Sequence, residues 1–174
     1  MTLPKTMSGI ATLGHGGSEM LQWQTDLPVP TAGPTEVVIK VAAAAVNNTD
    51  INTRVGWYSK SVTGATDAVS ATNDEDGGWS DTFGSEYNGG FAQYTKTFAT
   101  EAYAVDDTLS DAEWAAIPCA FSTAENMLQR ASVAGESVLI TGASGGVGAA
   151  AVQLARLRGA DVWAMTQPAK ADAV

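Results

Sequence analysis

The residues of this chain best suited to chemistry form a glycine-rich run, Gly142-Ala143-Ser144-Gly145-Gly146-Val147-Gly148. With so little side chain, such a run offers backbone N–H groups, and the chemistry that suits them is the grip of an anion. The spacing Ala143-x-Gly145-x-x-Gly148 matches the dinucleotide fingerprint with alanine in its first place. A small residue at 143 permits the tight turn, Gly145 lets backbone approach a pyrophosphate, and Gly148 lets the following helix pack closely. The plain alternative is a structural glycine turn that binds nothing.

A fingerprint means something only if a strand delivers it and a helix carries it away. Ser137 to Thr141, SVLIT, reads as that strand, and Val147 to Arg158 as the helix, stopped by Gly159. Asp161 to Thr166 reads as a second strand. An acidic residue at its end would take the ribose hydroxyls of NAD. The sequence there is Ala164-Met165-Thr166-Gln167, with Lys170 four positions beyond Thr166. The missing acid and the nearby lysine favour NADP over NAD; the plain alternative for Lys170 is a solvated surface lysine.

Upstream, Met7 to Gly14 and Glu19 to Thr25 read as strands around the turn His15-Gly16-Gly17. Pro28 to Pro34 reads as a linker and Glu36 to Val46 as one long strand. Ser59 to Gly90 is polar, without helical or strand period, and reads as a loop or disordered segment. Phe91 to Phe98 and Glu101 to Val105 read as strands. Ser110-Asp111-Ala112-Glu113 is a capping-box pattern opening a short helix that Pro118 ends, and Ser122-Thr123-Ala124-Glu125 opens another, to about Ala131.

Composition excludes some classes. The 174 residues carry a formal charge of −10, which disfavours a phosphate-backbone binder, so no nucleic acid is expected. Apolar runs such as Val41 to Val46 fall far short of the ~18 residues of a membrane span, so no membrane is expected. The one cysteine, Cys119, cannot form an internal disulfide, and a cytoplasmic setting is expected.

Taken in order, "EVVIKVAAAAVNNTDINTRVGWY", "GGFAQYTK", "PCAFSTAENML" and "GESVLITGASGGVGAAAVQLARLRGADVWAMT" resemble the medium-chain dehydrogenase/reductase superfamily, the zinc-type alcohol dehydrogenases and their zinc-free quinone reductase relatives. The resemblance implies an α/β chain: a GroES-like partial β-barrel over residues 1–109, then the first β-α-β unit of a Rossmann dinucleotide-binding domain over 110–174. It implies NAD(P)H-dependent hydride transfer involving an alcohol, carbonyl, quinone or enal as small-molecule substrate. It assigns Asn47, Thr49, Asp50 and Tyr58 to the substrate cleft, with Thr49 at the position of a proton-relaying hydroxyl, and adds Thr123 to the cofactor contacts. Zinc members carry cysteine where this chain has Asn47. Cys119 falls at a third zinc-ligand position, but further ligands are not found in the sequence, so zinc is not expected and Cys119 reads first as a small apolar residue. The plain alternative for Asn47, Asn48 and Asp50 is a polar cap after a strand.

Against that family the chain reads as truncated at Val174 and as internally deleted within the polar interval. The apolar residues on the far side of Val138-Leu139-Ile140 and Val162-Trp163 are then expected to lie exposed. A partner copy or the missing C-terminal half would cover them, and the family's habit suggests a dimer. Turnover by this chain alone is expected to be weak or nil. The competing expectation is a non-enzymatic remnant or scaffold that self-associates, with at most a vestigial nucleotide site.

Overall fold

The computed structural model describes residues 2–57 and 88–173; Tyr58 and nearly all of the polar interval lie outside them. Two compact units are present, Met1–Ala112 and Glu113–Val174.

The first unit is built from antiparallel pairs. β1 (Thr6–Thr12) pairs with β2 (Leu21–Pro28), with an irregularity between Met7 and Gly9. β3 (Glu36–Lys40) pairs with β4 (Tyr94–Phe98), from Glu36 opposite Phe98 to Lys40 opposite Tyr94. A bridge between Gly9 and Ala92 links the pairs, with Ile10 N–H donating to Phe91 O at 2.8 Å and Gln93 N–H to Ser8 O at 3.0 Å. Only glycine allows this approach: a Cβ on Gly9 would lie 2.7 Å from the Cβ of Ala92.

Two predicted strands are corrected here. Glu36 to Val46 is a strand only to Lys40. Val41 N–H still reaches Gln93 O, but β4 begins at Tyr94, so among the described strands Ala42 to Val46 have no ladder to join. Glu101 to Val105 is not a strand: Ala99–Glu101 forms a single 3-10 turn, and no described strand lies alongside the rest.

Lys96 Nζ donates to both carboxylate oxygens of Glu36 at 2.9 Å, and Gly33 N–H donates to Glu36 Oε2 at 2.7 Å. The Lys96 hydrogen bond first, and the Gly33 amide second, hold the Glu36 carboxyl below its ordinary value of 4.5. Because the folded value is the lower one, the stabilisation is present above pH 4.5 and is lost as pH falls through the folded value. Acid titration of the first unit, followed by circular dichroism, is therefore expected to show a loss of stability below that pH that Glu36→Gln flattens.

The second unit begins within α2 (Asp111–Arg130), which lies after α1 (Asn48–Arg54) in chain order. The sequence predicts two helices broken at Pro118; the structure has one, running through it. Proline removes one ladder bond. Against that, Ala120, Ala124 and Leu128 are buried at a spacing of four, and their packing holds the helix continuous. Ser122 and Thr123 are not caps. Their hydroxyls donate back to Cys119 O at 3.4 and 2.7 Å, the habit of such residues inside a helix.

β5 (Ser137–Thr141), α3 (Gly146–Leu157) and β6 (Asp161–Met165) follow as the sequence predicts, with β5 and β6 parallel and Leu139 opposite Trp163. α3 ends at Gly159, whose φ of +80° suits glycine, and Ala160 N–H returns to Ala155 O at 3.0 Å. The core is made of small residues: Ala120, Ala124, Ala143, Ala150, Ala151 and Ala155 pack with Leu128, Ile140 and Val152. One face of the strand pair carries this core. On the other, Leu139, Trp163 and Met165 are 67%, 66% and 54% exposed.

Candidate functional site

The glycine turn sits where the fingerprint requires, between the end of β5 and the first turn of α3. Gly142 reverses the chain with a φ of +64°. Ala143, fully buried, continues the parallel ladder by donating its N–H to Met165 O at 3.1 Å. Gly145 N–H closes the turn on Gly142 O at 2.9 Å. Gly148 is required by space: a Cβ there would lie 2.2 Å from Gly142 O. The sequence assigns Gly148 to helix–strand packing; what it packs on is the backbone of the turn itself.

These bonds divide the amides of the turn. Those of Ala143 and Gly145 are used by the protein. Those of Ser144, Gly146, Val147 and Gly148 have no protein acceptor among the described residues. Gly145 and Gly146 are exposed, and the first turn of α3 has no acidic residue to compete for its positive end. Four open amides at an exposed helix start, without a neighbouring carboxylate, form an arrangement able to hold a phosphate group.

Thr166, just past β6, donates its hydroxyl to Ser144 Oγ at 2.7 Å, tying the turn to the strand end. Sequence reasoning named both residues but not their bond, because nothing local pairs residues 22 positions apart. Lys170 lies in the 3-10 segment Pro168–Ala173 with an exposed side chain. Thr123 is exposed on α2, its hydroxyl committed to Cys119 O. Cys119 is free and partly buried, and among the described residues no group of three His, Cys, Asp or Glu could hold a metal ion.

The other predicted group lies in the first unit. Asn47 caps α1 in extended conformation, and its N–H donates to Asp50 Oδ2 at 2.6 Å. The Asp50 carboxylate thus serves the helix start, one half of a capping box. Asp50 N–H in turn reaches Asn47 O at 3.1 Å. Thr49 lies exposed in the same turn. Asn47, Thr49 and Asp50 are therefore brought together, while Tyr58 lies outside the described residues.

No family model matches the chain. It is 34% identical over 171 residues to the quinone oxidoreductase of Homo sapiens, covering 89% of this chain and 51% of that protein. A solved structure from Sinorhizobium meliloti 1021, provisionally described as an alcohol dehydrogenase, is 35% identical with a TM-score of 0.83, covering 98% of this chain and 60% of that one. The quinone oxidoreductase from Coxiella burnetii is 25% identical with a TM-score of 0.75, covering 95% and 58%. The chain spans about half the length of the curated relatives it matches.

Proposed function

The chain belongs to the medium-chain dehydrogenase/reductase superfamily, and on that premise we propose that it binds NADPH and serves hydride transfer to a quinone, enal or small carbonyl. The observation that carries this reading is the set of open amides at Ser144, Gly146, Val147 and Gly148. They hold the pyrophosphate. The 137–165 segment is the first β-α-β unit of a Rossmann domain, and the antiparallel pairs before it are part of a GroES-like barrel. Thr166 in place of an acid, with Lys170 beyond it, selects NADP over NAD. When bound, the reduced nicotinamide supplies the hydride. Thr49 delivers a proton to the substrate oxygen. Asn47 and Asp50 fix the turn that carries it. Asn47, standing where zinc members have cysteine, supports the zinc-free or degenerate-zinc branch.

The test is a fluorescence titration with NADPH followed by 1,4-benzoquinone reduction. Binding with turnover, however slow, supports the reading; no binding ends it. Weak or no turnover is expected of this chain alone. Within the helix start, Thr49→Ala is expected to lower kcat about fiftyfold while leaving stability within about 0.5 kcal/mol. Asp50→Ala, by removing the acceptor of the Asn47 amide, is expected to cost about 1 kcal/mol in urea unfolding.

A second reading, self-association by a non-enzymatic scaffold, is favoured by the exposed Leu139, Trp163 and Met165. It predicts a mass by light scattering that rises with concentration and falls back in Trp163→Ser.

A further inference from the structure

We propose that His15 is a positioning residue for Thr49, acting through the C-terminal end of α1; the inference rests on the oxidoreductase reading above. α1 has seven residues and no buried ones. A helix that short is not stable by itself, and no apolar face fixes this one. Both of its ends are held by hydrogen bonds. Asn47 and Asp50 hold the first. The second is held by the turn between β1 and β2.

There the carbonyl of Arg54, the last residue of α1, accepts from Gly16 N–H at 3.0 Å and from His15 Nδ1–H at 3.3 Å. The Arg54 guanidinium donates back to Gly16 O. A carbonyl only accepts, so the ring proton engaged here sits on Nδ1. Nε2 is buried with no partner among the described residues. A phenyl ring would fill the same space without that orphan; what the imidazole adds is the Nδ1 bond. The ring rests on Gly56, whose φ is +75° and where a Cβ would lie 2.9 Å from His15 Cγ. Backbone and side chain of one turn thus grip the end of this short helix, and Thr49 rides on it.

The full chain is compared with His15→Phe, His15→Gln and His15→Asn. An asparagine amide nitrogen overlays Nδ1, and a glutamine amide nitrogen overlays Nε2. Since misplacement of a reacting group by about 1 Å can cost up to about a hundredfold, His15→Phe and His15→Gln are expected to lower kcat with benzoquinone about tenfold. The NADPH Kd should not move, because its site lies in the other unit, and His15→Asn should restore kcat. Unchanged kcat in His15→Phe and His15→Gln, or a His15→Asn variant as slow as they are, overturns the proposal. If the native chain shows no turnover, the oxidoreductase reading is judged by NADPH binding alone. Hydrogen exchange of the α1 amides then decides: faster exchange in His15→Phe and His15→Gln, restored in His15→Asn, supports the clasp, and unchanged rates overturn it.

Discussion

Gly148→Ala is expected to weaken NADPH binding by about a thousandfold or more and to cost about 3 kcal/mol of stability, at the upper end for overpacking. The alanine Cβ would lie 2.2 Å from Gly142 O, 2.8 Å from Gly142 C and 2.9 Å from Ala143 Cα. All three are backbone atoms, so no rotamer change relieves the clash. The first turn of α3 must lift away from the end of β5, carrying the amides of Gly146, Val147 and Gly148 with it. Gly146→Ala is the control. Its Cβ would meet only the Cβ of Ala120, at 3.8 Å, an ordinary contact. Stability should change little there, while binding weakens modestly because a methyl group enters an exposed turn. Urea unfolding and NADPH fluorescence separate the two effects. Equal stability of Gly148→Ala and the native chain would contradict the account.

Ala150→Leu is expected to destabilise the second unit by about 3 kcal/mol, more than a hundredfold in its folding equilibrium. Ala150 and Ala155 are fully buried on α3, as Ala124 is on α2. Cores made of alanine bring backbones close and leave no slack for three more carbons. Gln153→Leu, on the exposed side of the same helix, places the same side chain in solvent and should change stability by less than about 0.5 kcal/mol. A lower urea midpoint in the first variant alone is the predicted outcome.

The two halves of the chain were unequally legible. From Ser137 to Met165 the signals are local and agree. Strand periodicity gives way to helical spacing, glycines mark the turn and the stop, and a second strand follows, all as observed. Elsewhere the deciding interaction is remote. Ala42 to Val46 look like strand, but a strand needs a partner, and β4 begins too late to supply one. Pro118 looks like a helix end, yet a buried stripe at Ala120, Ala124 and Leu128 outweighs one lost hydrogen bond. Ser122 and Thr123 have capping composition but turn their hydroxyls back onto Cys119 O. The same ambiguity touches the candidate site. Asp50 carries chemistry-bearing oxygen, and the structure engages it at the start of α1. His15 showed nothing in the sequence beyond being the one histidine, in a turn. Its importance comes from Arg54, 39 positions away.

The glycine turn rests on contacts that can be observed singly. In a two-dimensional 15N–1H NMR titration of the full chain with NADPH, the largest shifts should fall on the amides of Ser144, Gly146, Val147 and Gly148. Ala143 and Gly145, already bonded to Met165 O and Gly142 O, should move less. Shifts of that pattern are the predicted result. Saturating NADPH that leaves those four resonances in place, or perturbs only residues remote from the turn, would contradict the claim that this backbone holds a pyrophosphate.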